Sequence, residues 1–184
     1  MPPRRRGAAV RQSAQGRTDP LTGLGNRRAL DAAFLARPAA PPDGTPSTDS
    51  ALLMVDADHF KAINDLRGHD VGDTVLVSMA GVLRTCLRRS DTVVRLGGEE
   101  FALWLPEATA EAAARVAEAV HAKMAAVRLP DGAEALTVSI GVAMLGGQRD
   151  RNDLALLLKR ADEALYLAKT AGRNRSCWAV APSA

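Results

Sequence analysis

The chain has 184 residues, 47% hydrophobic and 24% charged, the size and balance of one globular domain. Aromatics at 3% are too few for a base-stacking nucleic-acid platform, and no apolar run approaches the ~18–20 residues of a membrane span. The formal charge of +3 is a property of the tail: residues 1–18 carry five arginines and no acid, leaving 19 basic against 21 acidic groups in the remainder. No specific nucleic-acid partner is expected of so neutral a body. The basic start lacks the apolar core of a signal peptide. Cys86 and Cys177 are too few and too far apart for a disulfide framework, and read as buried free thiols in a reducing cytoplasm.

In chain order, residues 1–18 lack apolar periodicity and read as a flexible tail or the frayed end of a linker helix, with 19–184 as the folded domain. Arg27 to Ala36 follows as a helix with Ala29, Leu30, Ala33 and Phe34 on one face. Pro38, Pro41, Pro42 and Pro46 mark a loop from Pro38 to Ser50. Residues 51–55 form an apolar run of buried-strand length that stops at Asp56. Thr74 to Leu87 is the next helix, striped by Val75, Met79, Val82 and Cys86. Thr92–Leu96 and Phe101–Leu105 flank Gly-Gly-Glu-Glu, a hairpin signal in which the glycines supply positive φ. Glu111–Met124 reads as a helix, Leu136–Val142 as a strand, Asp153–Lys169 as a helix and Cys177–Val180 as a last strand. Alternating strands and helices with one explicit hairpin imply an α/β domain, a mixed sheet covered by helices.

Two acids at alternate positions, Asp56 and Asp58, end the first buried strand and so share a strand face. Strand ends are where α/β domains place ligands. Glu99 and Glu100 put adjacent, mutually repelling carboxylates on the hairpin tip. A hard divalent cation between Asp56 and one of these glutamates removes that conflict, since Mg²⁺ takes one or two carboxylates plus phosphate oxygens; as solvated turn residues the glutamates need no ion. The lack of a Cys/His cluster argues against zinc. Lys61, Lys169 and Arg173 suit a polyphosphate, although Lys169 and Arg173 equally complement a helix C-terminus.

Asp73 with Asn64 matches the paired N–H donors on the Watson–Crick edge of guanine, which adenine lacks; alternatively, Asp70 or Asp73 caps the helix that begins near Thr74. His69 reads as a structural hydrogen-bonding residue, with substrate contact second. Arg88 and Asp91, in Arg-Arg-Ser-Asp, are either a grip on guanine O6 and N7 or a helix-end ion pair. Asp91 lies six positions before Gly97, about 20 Å along a strand at ~3.3 Å per residue, so a ligand there sits away from the hairpin tip.

In this order these features resemble the GGDEF family of diguanylate cyclases. The signature is Gly97-Gly98-Glu99-Glu100-Phe101, its Glu-for-Asp version. Around it stand Asp19-Pro20-Leu21-Thr22-Gly23-Leu24-Gly25-Asn26-Arg27-Arg28, the block from Asp56 to Asp65, Gly68-His69, Gly72-Asp73, Ser139-Ile140-Gly141-Val142, Ala161 to Tyr166 and Ala168 to Arg175.

The resemblance implies a five-stranded sheet ringed by helices, like the nucleotidyl cyclase and polymerase palm core, and condensation of two GTP into 3′,5′-cyclic di-GMP with release of two pyrophosphates by a homodimer. It implies Mg²⁺, with Mn²⁺ as a substitute, held by Asp56, Glu99 and the Ala57 carbonyl. Two metals would activate the 3′-hydroxyl and clamp the triphosphate. Glu99, Glu100 and Lys61 are the expected catalytic residues, Glu100 as the candidate acceptor of the 3′ proton and Lys61 against charge on departing pyrophosphate. Asn64, His69 and Asp73 match guanine-side positions, Lys169 and Arg173 phosphate contacts, and Gly97 and Gly98 the turn against the substrate. Arg88 and Asp91 match the product-inhibition site. An upstream sensory or receiver domain, or a partner, is expected to supply the input, and the cytoplasm is the expected location. The rival reading is a silent GGDEF domain acting as a receptor for GTP or cyclic di-GMP.

Overall fold

The computed structural model describes residues 16–36, 49–129, 135–145 and 153–180. The elements run α1 (Arg27–Leu35), β1 (Ser50–Ala57), α2 (Phe60–Arg67), α3 (His69–Thr85), β2 (Thr92–Gly97), β3 (Glu100–Leu105), α4 (Ala110–Met124), β4 (Val138–Leu145), α5 (Asp153–Thr170) and β5 (Ser176–Trp178). The strands form one sheet in the order β2-β3-β1-β4-β5. β1 runs antiparallel to β3 and β4, and β4 runs parallel to β5. The sheet is therefore mixed, as the sequence implies.

All eight residues of β1 are buried, because helices cover both faces. Ala51, Leu53, Val55 and Ala57 pack with Val75, Met79, Leu83 and Val120 of α3 and α4. Leu52 and Met54, on the opposite face, pack with Leu30 and Phe34 of α1 and with Leu157, Ala161 and Leu165 of α5. Each such aliphatic side chain contributes about 1.5–3 kcal/mol on burial. The α5 contact is very close: a Cβ on Gly141 would stand 2.0 Å from the Ala161 carbonyl oxygen and 2.3 Å from the Leu165 nitrogen. Only a bare backbone on β4 lets α5 lie this near, and that seating carries Lys169, in the last turn of α5, to the end of β1.

Several elements differ from expectation. The short helix α2 was not anticipated, and α3 begins at His69 rather than near Thr74. Neither Asp70 nor Asp73 is therefore its N-cap; Gly68 holds that position without a side-chain cap bond. β4 runs to Leu145 because it pairs with β1 over its whole length, from Ser50–Leu145 to Ala57–Val138. β5 is only Ser176–Trp178. Both cysteines are free, but half-buried rather than buried, Cys86 as the C-cap of α3. Residues 16–18, expected in the tail, are tied to the domain: Thr18 bridges Gly25, and the Arg17 carbonyl accepts from the Asn26 amide at 2.8 Å. Residues 1–15 and most of the proline-rich loop, 37–48, lie outside the described residues. Among the described residues no helix is long and apolar enough to cross a membrane.

Candidate active site

Asp56 stands at the C-terminal end of the central strand, opposite Glu100 on β3 and Ser139 on β4. It is 4% exposed. Lys169 Nζ lies 2.8 Å from its Oδ2. Burial pushes the Asp56 carboxyl up, the bond and charge of Lys169 offset part of that, and the charges of Glu99 and Glu100 add to it, leaving a pKa of about 6. A buried acid is thus held beside two further acids with one ammonium bonded to it, an arrangement that a cation would relieve.

Asp56, Ala57, Asp58, His59, Phe60, Lys61, Glu99, Lys169 and Arg173 line one open recess of about 160 Å³. This brings together the residues read as metal ligands and phosphate contacts. It is smaller than the ~300–1,000 Å³ of a complete small-molecule pocket, consistent with half of a site. The recess borders the start of α2, where His59 (φ +58°) makes no side-chain cap bond, so first-turn N–H groups remain open to an anion. Lys61 carries an exposed ion pair with Asp65 at 2.6 Å, a type of contact worth little in water. Among the described residues no three His, Cys, Asp or Glu side chains form a metal-binding group by themselves. Mg²⁺ needs only one or two carboxylates when phosphate and water complete its shell, and Asp56, Glu99 and the Ala57 carbonyl fit that demand.

The signature turn is held by a residue that sequence reading missed. Gly98 has φ +50°, in the left-handed region where glycine is the least strained choice, and the β2–β3 register shifts between Arg95 and Gly97. Arg95 Nε donates to the Gly98 carbonyl at 2.9 Å, and its Nη1 reaches both Asp19 carboxylate oxygens at 3.3 Å. Partial burial works against ionisation of Asp19, but bonds from the Thr22 hydroxyl and amide, with Arg95 beside it, hold its carboxyl below the usual range. A lone arginine in a strand carries no pattern; only its position five residues before Glu100 could have suggested the role.

The residues expected on the guanine side fall on the α2–α3 helical pair. The Asn64 side chain packs against Gly72, where a Cβ would stand 1.9 Å from its Oδ1. That oxygen is buried without a hydrogen-bond partner among the described residues. His69 and Asp73, at the start of α3, are exposed. Asn64, His69 and Asp73 thus share a neighbourhood next to the recess but do not line it. Glu100, Gly97 and Gly98 are likewise outside its lining.

At the opposite end of the hairpin, Arg88 Nε donates to Asp91 Oδ1 at 2.8 Å and its amide to Oδ2 at 3.1 Å. Its Nη2 donates to the carbonyls of Pro106 and Glu107. The helix-end ion pair therefore exists. Beside it is an open cavity of about 320 Å³ lined by Arg88, Asp91, Cys86, Ala112 and Arg115 among others.

With the fold and both ends of the hairpin described, comparison with known proteins assigns the class. The family model for the diguanylate cyclase GGDEF domain matches residues 17–175, and the chain belongs to that family. The diguanylate cyclase DgcM of Escherichia coli K12 is 43% identical over 157 residues, 85% of this chain but 37% of DgcM's own length. The coiled coil and GGDEF domain of DgcB from Caulobacter crescentus, solved in complex with c-di-GMP, superposes with a TM-score of 0.77 at 32% identity, covering 93% of this chain and 90% of that one. The active GGEEF domain of a diguanylate cyclase from Vibrio cholerae gives 0.73 at 34% identity, over 86% and 99% of the two chains.

Proposed function

We propose that this chain is a diguanylate cyclase, joining two GTP into 3′,5′-cyclic di-GMP and two pyrophosphates. The observation that carries the reading is the buried Asp56, bonded to Lys169 and crowded by Glu99 and Glu100 in a recess that Lys61 and Arg173 also line. The Vibrio cholerae structure, described as an active GGEEF domain, supports activity with glutamate in the signature. In each of two equivalent steps a 3′-oxygen attacks the α-phosphorus of the other nucleotide, the new P–O bond forms, and the bond to the β-phosphate breaks. The hydroxyl proton passes to a carboxylate, for which Glu100 is the candidate. Lys61, Lys169 and Arg173 hold the triphosphate and stabilise the departing pyrophosphate. Asn64 and Asp73 select guanine, with His69 beside them, and the Gly97–Gly98 turn lets the chain approach the nucleotide. Asp56, Glu99 and the Ala57 carbonyl would hold Mg²⁺, or Mn²⁺ in its place. That ion supplies charge neutralisation and a more acidic hydroxyl when bound.

One nucleotide per subunit makes a homodimer the reactive unit. Arg88 and Asp91 take cyclic di-GMP as feedback inhibitor. GTP as substrate suits a cytoplasmic protein. The test is incubation of the pure chain with GTP and Mg²⁺, followed by chromatography of the nucleotides. Cyclic di-GMP and pyrophosphate in a 1:2 ratio are expected. Bound but unconverted GTP would instead favour a receptor.

A further inference from the structure

The recess contains a second buried acid that the reaction above leaves without a task. Asp58 is 5% exposed, yet it has no lysine or arginine beside it among the ion pairs described. Its charge is met by hydrogen-bond donors instead. Oδ1 accepts from the Ser139 hydroxyl at 2.7 Å, and Oδ2 accepts from the Thr137 hydroxyl at 2.8 Å and from the backbone amide of Asn174 at 3.0 Å. Its own amide donates to the Thr137 carbonyl at 3.0 Å. Ser139 on β4 and Thr137 just before it fix the carboxylate; the third bond goes elsewhere, to the turn after α5.

That turn is strained. Gly172, Arg173 and Asn174 have φ of +115°, +61° and +45°. Two consecutive non-glycine residues in the left-handed region persist only where surrounding bonds fix them. The Arg173 amide donates to the Ala168 carbonyl at 3.0 Å, and the Arg175 carbonyl accepts from the Ile140 amide at 2.9 Å. Between these two ties, the Asn174 amide is bonded to Asp58. Arg173, which lines the recess, is thus set between its helix and a buried carboxylate.

We infer that Asp58 is a positioning residue, a buried anion that holds the α5–β5 turn so that Arg173 faces the phosphate end of the recess. This rests on the reading of the recess as a triphosphate site. Asp58 touches no reacting atom in it; its effect passes through the Asn174 amide.

The test is a double-mutant cycle on nucleotide binding. The full chain is titrated calorimetrically, with Mg²⁺, against 3′-deoxy-GTP and 3′-deoxy-GMP, which lack the attacking hydroxyl and so bind without turnover. Arg173→Ala should weaken the triphosphate about tenfold and the monophosphate by less than about twofold. Asp58→Asn should do the same, because a neutral amide has one acceptor oxygen where the carboxylate has two, and cannot accept from Ser139 on one side and from Thr137 and Asn174 on the other. Joining the two should cost no more than about twofold beyond Asp58→Asn alone, since an arm already astray has little left to lose. Additive losses, an unchanged triphosphate affinity in Asp58→Asn, or an equal loss for the monophosphate would each overturn the inference. A parent chain that binds the triphosphate no better than the monophosphate would overturn the phosphate reading of the recess itself. Should Asp58→Asn not fold, Thr137→Val combined with Ser139→Ala removes the hydroxyls that orient the carboxylate. The same loss of the Arg173 effect is expected there, and its full retention would overturn the inference.

Discussion

At the tip of the β2–β3 hairpin, Glu99 and Glu100 stand near a buried Asp56 whose bonded cation is Lys169. At the other end, Arg88 is bonded to Asp91 and to the carbonyls of Pro106 and Glu107. The first arrangement keeps unresolved negative charge, which costs folding energy and favours any cation that arrives. The second is already satisfied, so a ligand that takes Arg88 must replace bonds that exist. Strong binding is expected at the tip, and a weaker, exchangeable grip at the base, as suits a substrate and an inhibitor.

The contrast is broken most sharply at the tip. Glu99→Gln should lower the rate of cyclic di-GMP formation by about 10³-fold or more, roughly 4 kcal/mol in barrier, with the fold intact by circular dichroism. A rate within about tenfold of the parent would remove Glu99 from the metal set. At the base, Arg88→Ala should raise the half-inhibitory concentration of cyclic di-GMP by roughly five- to 150-fold while leaving the initial rate unchanged. Identical inhibition curves would reduce Arg88 and Asp91 to a structural ion pair. Arg95→Ala, which releases the Gly98 carbonyl and Asp19, should slow turnover by about tenfold without shifting the inhibition curve. An inhibition curve that moved with it would show the two ends to be coupled through β2.

The smallest effect concerns stability in the absence of metal. Asp56 titrates at about 6 in the folded chain against an ordinary 3.8. A raised carboxyl pKa gives stability that is complete below 3.8 and is lost as the pH climbs through 6. Asp56→Asn has no such charge to bury. Thermal unfolding in chelator should find it more stable than the parent at pH 7.5, by about 1–3 kcal/mol. The advantage should vanish near pH 4. Parity at both pH values would mean that Lys169 balances Asp56 fully.

Much of this was legible in the chain because the signals were local. The run Ala51 to Val55 stops at an acid, and the Gly-Gly-Glu-Glu turn lies between two apolar runs; both became the strands they suggested. The helix α2 and the first turn of α3 were not legible, although the rest of α3 was. Residues 68–73 contain two glycines and two aspartates, the composition of a loop, but Gly72 is there to admit the Asn64 side chain, a reason visible only once the helices pack. Arg95 and Asp58 were missed as anchors for a related cause. Their partners lie far off in sequence, 76 residues from Arg95 to Asp19 and 79, 81 and 116 from Asp58 to Thr137, Ser139 and Asn174. No periodicity spans such intervals. Thr137 and Ser139 were read only as strand residues, although the hydroxyl of a fully buried residue such as Ser139 needs a partner.

β1 lies in the middle of the sheet and is bonded along both edges, whereas β5 is three residues paired with β4 alone. Local opening follows that difference: a short edge strand breathes independently, while a central one parts only when the domain unfolds. The acid of the recess is therefore carried by the last part of the molecule to open, and Arg173 by one of the first. Fluctuations of the edge strand would widen the recess at Arg173 without disturbing Asp56, so that exchange of a bound ligand draws on edge breathing and not on the stability of the core.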